Sequence, residues 1–341
     1  MMPLGARRTF RFGAVVALSL VLAYGLATPM PFLAPIFAVL LTAAPAPPMG
    51  PKQLLGLLVV VTITLGIGLV LMPLLRTYPI SAVMMIAAGL FASTYLGVGK
   101  GKAMVGTLLT IGLTMIPAAG LLEITLARTV VKGLLIGIGM VVVCQWIVYP
   151  LFPEDPVRVA PPKAPPADPQ TAAWLALRTM LIVLPSVMLA FTNPTLYMPL
   201  IMKSVMLGQQ GCLVTARAAG YELLGSTFLG GAFAIAFWFV LKFWPSLWMF
   251  GLWMLLFGMF FGAKLYRVIA TRYPASFWIN VGVTMLILLG PAVQDSAGSD
   301  PSSAFIRRFS LFVLVTVYAW FAILLLEWLR ERTSSRSASA A

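Results

Sequence analysis

The 341-residue sequence contains no histidine. The chain therefore has no histidine proton relay, no histidine metal ligand and no Ser-His-Asp triad. No two acidic residues share a depth in the predicted membrane segments, so paired-carboxylate catalysis has no basis either. We expect a protein that is not an enzyme and that holds no metal and no cofactor.

Charged residues and cysteine are also scarce. Asp, Glu, Lys and Arg together make up 9% of the chain, and there are only two cysteines. Each cysteine lies in or beside an apolar segment, which argues against a disulfide framework. The glycine- and lysine-containing run 97–102 lacks the spacing of a phosphate-binding loop, so uphill transport would need an ion gradient or a separate subunit.

Apolar residues dominate what remains: 61% of the chain is hydrophobic and the mean hydropathy is +1.00. A bilayer core of roughly 30 Å requires about 20 apolar residues in a helix. Runs of this kind recur between charged residues, prolines and glycines, and they predict an all-α integral membrane protein with about twelve transmembrane helices. The predicted spans are 10–28, 30–45, 53–75, 79–97, 103–120, 130–151, 172–191, 195–211, 221–241, 246–264, 275–291 and 306–328.

These spans divide into two tandem six-helix bundles in parallel orientation, residues 1–152 and 171–329. A proline-rich segment, 153–170, is predicted to be a cytoplasmic linker, and the Ser/Ala/Arg-rich segment 330–341 a disordered cytoplasmic tail. Lys and Arg number 23 against nine acidic residues, and most of them fall in loops on one side of this layout. Because cytoplasmic loops are enriched in Lys and Arg, both termini are predicted to be cytoplasmic, and no nucleic-acid surface is indicated.

Short matches between the two halves follow in the same order and at a nearly constant spacing. They indicate an internal duplication whose halves share one orientation, which is a recurrent plan among transporters. The matched elements are Arg11 with Arg178, Ala23-Tyr24 with Ala190-Phe191, Thr28 with Thr192, Pro35 with Pro199, and Leu75–Pro79 with Leu241–Pro245.

The second span of each half is short and interrupted by proline. Thr28 and Pro35 mark the first of these segments, and Asn193, Pro194 and Pro199 mark the second. Proline removes a backbone donor, so paired broken helices expose backbone groups and indicate a substrate site. The alternative is that these prolines start helices or are tolerated kinks.

Lys203 lies near the middle of the second broken span, where a lysine is costly unless it faces a bundle interior or a water-filled cavity. The corresponding residue of the first half is Val39. We predict that Lys203 contacts an anionic substrate or changes its protonation state during transport. The alternative is a lysine whose side chain reaches the membrane surface.

Four further residues complete the predicted pathway and its coupling. Asn280 and Gln145 are intramembrane amides, which either line the pathway or form interhelical hydrogen bonds. Glu222 is the best-placed carboxylate for proton coupling, together with Arg217. A local ion pair between these two at the cytoplasmic surface is the structural alternative.

The stretch Arg217–Gly231, with Gly220, Glu222, Gly225 and Gly230 at fixed spacing, resembles the signature of the fusaric acid resistance and aromatic acid exporter superfamily. Gly56 stands at the matching place of the first half. The resemblance implies two six-span bundles in a bacterial inner membrane that export small, often aromatic, acids with a membrane-fusion adaptor. This chain resembles a compact member without the large cytoplasmic domains.

Two functions follow from the sequence. The first is a secondary efflux transporter for small anionic or aromatic compounds, embedded in the lipid bilayer and working with a periplasmic membrane-fusion adaptor. The alternative is a scaffold or assembly component of an envelope complex that transports nothing itself. Whether the protein forms a homo-oligomer stays open.

Overall fold

The computed structural model of the protein describes residues 2–155, 167–211, 220–295 and 301–339, and all regular structure in these ranges is helical. These described ranges contain twelve α-helices and one π-helical turn, Gly220–Leu224. The prediction of an all-α fold is confirmed. The helices are α1 (Leu4–Gly25), α2 (Leu33–Thr42), α3 (Pro51–Thr77), α4 (Pro79–Gly99), α5 (Ala103–Leu122), α6 (Ile124–Val148), α7 (Pro169–Thr192), α8 (Pro194–Gly211), α9 (Gly225–Phe243), α10 (Leu247–Leu265), α11 (Ala275–Asp295) and α12 (Pro301–Ser339).

Ten of these helices, within the described residues, are long and apolar enough to cross a membrane. The protein is therefore a multi-pass membrane protein. The two that do not qualify are α2, with ten residues, and α8, which contains Lys203 and two glutamines. These are the two proline-interrupted segments that the sequence analysis set apart.

Helix starts follow from local sequence chemistry. Proline is the first residue of α3, α4, α7, α8 and α12, a position where its missing N–H leaves no hydrogen bond unmade. The Asp168 side chain also caps α7 by accepting a hydrogen bond from the backbone N–H of Gln170 at 3.2 Å. The Ser246 hydroxyl caps α10 in the same way, accepting from Met249 N–H at 3.3 Å.

The chain forms two compact units, and each unit combines helices from both halves of the sequence. Unit 1 comprises Met1–Ile63, Glu123–Lys163 and Phe228–Arg307; unit 2 comprises Thr64–Leu122, Ala164–Thr227 and Arg308–Ala341. Unit 1 thus contains the first, second and sixth helices of the first half with most of α9, α10 and α11. Unit 2 contains α7, α8 and most of α12 with the end of α3, α4 and α5.

Several helix contacts recur in both units at positions that the repeat relates. In unit 1, α1 packs against α10, and α2 contacts α1, α6 and α11. In unit 2, α7 packs against α4, and α8 contacts α7 and α5. The first helix of each half therefore packs on the fourth helix of the other half, and this correspondence supports the duplication inferred from the sequence.

Glycines permit the close approach of α1 and α10 in unit 1. A Cβ on Gly258 would lie 3.1 Å from the Cα of Gly13, and one on Gly262 would lie 3.3 Å from the Cα of Thr9. Association of membrane helices depends on close van der Waals packing, because the hydrophobic effect does not favour it within lipid. Small residues one turn apart allow this close packing. The Gly258 and Gly262 pair on α10 has this spacing.

Gly68 provides a test of the equally close packing of α3 and α5 in unit 2. A methyl group at Gly68 would overlap the Gly112 carbonyl oxygen, whereas one at Gly66 meets nothing within 4 Å. We expect Gly68→Ala to destabilise the protein by about 1–3 kcal/mol and to lower its melting temperature in detergent. Gly66→Ala, on the same helix, should leave it unchanged or slightly raised, and equal melting temperatures for the two variants would contradict this packing.

The linker and the tail were predicted to be extended and disordered. Residues 156–166 of the linker lie outside the described residues, and the linker's final residues already belong to the start of α7. α12 continues to Ser339, through most of the segment predicted to be a disordered tail. Extending an existing helix requires no new nucleation, and the alanine and arginine in this segment favour helix.

Candidate substrate pathway

The two broken helices, α2 and α8, each lie at the centre of a unit. Every residue from Leu33 to Val39 of α2 is buried, and so is every residue from Leu200 to Val205 of α8. A helix that is buried on all faces is surrounded by other elements rather than by solvent or lipid. The paired segments that the sequence singled out are therefore enclosed over these residues, as are residues 280–290 of α11 and 110–120 of α5.

Lys203 is fully buried, midway along α8 in unit 2. The side chains of Met202 and Ser204 on either side are buried as well, and the Ser204 hydroxyl donates to the Ile201 carbonyl at 2.9 Å. Burying an ammonium group costs several kcal/mol unless other groups compensate it. Its counterpart Val39 is equally buried in unit 1, so the charge distinguishes the two central helices.

The first broken segment has an irregular backbone between α1 and α2. Ala27 and Met30 both have positive φ angles, 48° and 52°, which non-glycine residues rarely adopt. The Thr28 hydroxyl donates to the Ala23 carbonyl at 3.1 Å, and Pro35 lies buried in the first turn of α2. The chain therefore breaks well before α2 begins at Leu33.

The second broken segment is shorter. Asn193 is exposed and ends α7 with an extended backbone, and the buried Pro194 is the first residue of α8. Pro199 falls inside α8, although its side chain is outside the described set. For Pro194 the helix-starting alternative holds.

The two predicted amides lie in unit 1. The Gln145 side chain on α6 donates to the Thr42 hydroxyl at the end of α2, 3.1 Å away. Asn280 on α11 is buried, with its side-chain oxygen 3.5 Å from the hydroxyl of Thr284. Gln145 thus makes the interhelical hydrogen bond that was the alternative to substrate binding, and it joins the centre of unit 1 to α6.

Glu222 lies in the π-helical turn that precedes α9, and its side chain is half-buried. Single π-helical turns are rare and occur frequently at functional sites. Arg217, its predicted partner, lies outside the described residues. The structure places Glu222 and Lys203 in the same unit, unit 2.

Two ion pairs that were not predicted from the sequence hold the first and sixth helices of each half together, and the pair in unit 1 is buried on both sides. In unit 1, the Arg11 guanidinium lies 2.7 Å from the Glu154 carboxylate, and the side chains of both are only 5% exposed. Arg8 also binds the Glu154 carboxylate, and the Arg11 guanidinium stacks on the Tyr149 ring with its centroid 5.2 Å away. The turn after α6 is therefore fixed to the start of α1.

Unit 2 repeats this arrangement. The Arg178 guanidinium on α7 lies 2.7 Å from the Glu327 carboxylate on α12, and Arg178 is buried. The Trp174 indole N–H points to the same carboxylate at 3.5 Å. Arg11 and Arg178 are the pair that the repeat had aligned, so a search for carboxylates at the end of each sixth span would have found the partners.

Acidification should weaken the unit 1 pair. Burial raises the pKa of Glu154, but hydrogen bonds and charge from Arg8 and Arg11 outweigh it and hold this pKa below its usual range. A lowered pKa stabilises the fold above the unfolded value of about 4.3, and this stability is lost as pH falls through the folded-state pKa. The melting temperature of the wild type should therefore fall on acidification, and Glu154→Gln should lack the part of this fall that comes from protonation of Glu154. If the melting temperatures of the wild type and the variant fall in parallel with pH, the ion pair does not stabilise the fold in this way.

Unit 1 also contains a cavity of about 440 Å³ that the sequence analysis did not predict. It lies where the end of α1 meets the end of α9 and the start of α10, and two walls are aromatic. The cavity is lined by residues including Tyr24, Trp238, Leu241, Lys242, Phe250 and Val293.

Comparison with known proteins gives a match for the first half of the chain. Residues 8–148 are similar to a protein family described as "protein of unknown function (DUF2955)". The match begins near the start of α1 and ends at the last residue of α6. No curated protein and no solved structure matches the chain.

Proposed function

We propose that this chain is a secondary efflux transporter of the bacterial inner membrane. It exports small anionic or aromatic compounds, is driven by an ion gradient, and delivers its substrate to a periplasmic membrane-fusion adaptor. In this proposal both chain termini face the cytoplasm.

The burial of Lys203 in a proline-broken central helix is the observation that carries this proposal. The side chain is fully buried, so it is exposed neither to lipid nor to a headgroup layer. Paired broken helices at equivalent places of two repeats are the arrangement in which secondary transporters present polar groups to a substrate. A buried ammonium at such a place attracts an anion.

The resemblance of Arg217–Gly231 to the aromatic acid exporter signature supports the substrate class. The topology is supported by the arginines at the start of α1, since positive charge marks cytoplasmic segments. Glu222 is our candidate for proton coupling because its carboxylate lies in the π-helical turn of the unit that holds Lys203.

Inverted membrane vesicles from cells that express or lack the chain provide the test. We expect the expressing vesicles to accumulate aromatic carboxylates such as salicylate and 2-naphthoate, and a protonophore to abolish the uptake. A deletion strain screened against aromatic acids and cationic drugs should become sensitive to the acids. If uptake is equal in both kinds of vesicle for the whole panel, the transporter proposal fails and a membrane scaffold takes its place.

A further inference from the structure

We propose that the 440 Å³ cavity of unit 1 is a binding site for an amphipathic anion. The Lys242 ammonium and the Tyr24 hydroxyl hold the anionic group, and the rings of Trp238 and Phe250 enclose the apolar body. The inference that this site lies on the exit side of the pathway rests on the proposed function and its topology.

Both polar groups are available to a ligand. Within the described part of the chain, the Lys242 ammonium contacts only ring faces, with centroids 5.8 Å away at Trp238 and 5.9 Å away at Phe239. The Tyr24 hydroxyl is buried and has no hydrogen-bond partner among the described residues. Buried hydroxyls are nearly always hydrogen-bonded, so an orphan beside a cavity indicates a missing ligand or water.

The walls suit an apolar body with one charged end. The Tyr24 ring meets the Phe250 ring edge to face, with 5.1 Å between centroids, and Leu241 and Val293 complete an aliphatic side. Small-molecule sites usually have volumes of roughly 300–1,000 Å³ and combine apolar walls with a few polar groups. The cavity falls in this range and has one cation, so a singly charged anion with one or two rings fits it.

The residues that the repeat aligns with this cavity lack the same arrangement in unit 2. Arg76, which the repeat aligns with Lys242, donates a hydrogen bond to the Gly120 carbonyl at 3.0 Å. The buried Met72 side chain packs directly against Gly120. Phe191, which the repeat aligns with Tyr24, has no hydroxyl. The duplicated chain has therefore kept an available cation and hydroxyl in one unit only, which favours a ligand site over a structural feature of the fold.

Two sources supply ligands of this chemistry: an aromatic carboxylate from solution and an anionic lipid from the bilayer. Both present one negative charge on an apolar body, and both reach a cavity that lies near the end of membrane-spanning helices. The full-length protein in nanodiscs of purely zwitterionic lipid separates the two sources, because no anionic lipid is then present.

Binding of 2-naphthoate, followed by tryptophan fluorescence, tests the site. We expect Lys242→Gln to weaken binding at least about tenfold and Tyr24→Phe to weaken it roughly fivefold, in line with losing one charged and one neutral hydrogen-bonding group. The neutral 2-naphthamide should bind the wild type as weakly as 2-naphthoate binds Lys242→Gln. Arg76→Gln, the matched change in unit 2, should leave the affinity unaltered.

The possible results of these binding and uptake measurements have separate meanings. Wild-type affinity in both Lys242→Gln and Tyr24→Phe, or equal affinity for the acid and the amide, overturns the site. Displacement of 2-naphthoate by added phosphatidylglycerol, dependent on Lys242, upholds the site and assigns it to lipid. If the vesicles take up substrate but 2-naphthoate binding does not depend on Lys242, the binding-site inference fails and the proposed function stands. If binding depends on Lys242 but the vesicles take up nothing, the proposed function fails and the binding site stands.

Discussion

Lys203→Met will abolish export while the protein still inserts into the membrane. Methionine keeps an unbranched side chain of similar length, so the packing at the centre of unit 2 is maintained while the ammonium is lost. Losing a charged partner for an anion should reduce vesicle uptake at least about tenfold. Uptake of salicylate or 2-naphthoate, normalised to the amount of protein in the vesicles, measures the effect.

Stability should change much less than activity. Removing a buried charge removes its desolvation cost, which offsets the contacts that the ammonium loses, so we expect the melting temperature of Lys203→Met to stay close to that of the wild type. Met202→Leu, a volume-conserving change at the adjacent buried residue, should retain uptake. Wild-type uptake by Lys203→Met would exclude the ammonium from the mechanism.

Glu154→Gln should strongly destabilise the protein, far more than neutralising the adjacent Asp155. It removes the carboxylate that Arg8 and Arg11 share, and it leaves the nearly buried Arg11 without a counter-charge among the residues described around it. Breaking a buried ion pair by removing one partner costs about 3–5 kcal/mol. Thermal unfolding in detergent at neutral pH measures this loss.

The adjacent residue supplies the control. Asp155 pairs with Arg7 at 2.6 Å, but its side chain is 58% exposed, and exposed ion pairs contribute only about 0–1 kcal/mol. Asp155→Asn should therefore melt close to the wild type. Equal losses from Glu154→Gln and Asp155→Asn would mean that burial at the end of α6 does not govern the strength of these pairs.

The helices were largely predictable because membrane spans depend on local composition. The run predicted at 103–120 became α5, and the run predicted at 275–291 became α11. At 306–328 the helix extends further than predicted, from Pro301 to Ser339, and at 30–45 the helix covers only Leu33–Thr42. The positive φ angle at Met30 places the start of α2 later in the chain, and a hydropathy pattern carries no information about backbone conformation.

The interleaving of the two units could not be predicted in the same way. It depends on which pairs of helices pack their apolar faces together. The compositions of α1 and α4 are too similar to show that α1 packs on α10 and α4 packs on α7. Lys203 was identifiable because a lone lysine in an apolar run is unusual whatever surrounds it. Glu154 was overlooked because it stands in a proline-rich segment that is typical of a solvated linker, although its position just after the sixth span would have indicated it. The cavity was not predictable because its lining residues come from four separate helices, α1, α9, α10 and α11.

The exchange of helices between the two halves constrains how the protein assembles. When α1–α6 have emerged from the ribosome, neither unit is complete, because α4 lacks α7 and α1 lacks α10. An ancestral chain of six helices could have built both units only by associating with a second copy of itself. Joining two such copies in one polypeptide would then have allowed one unit to gain an ammonium at its centre and the other to keep an open cavity.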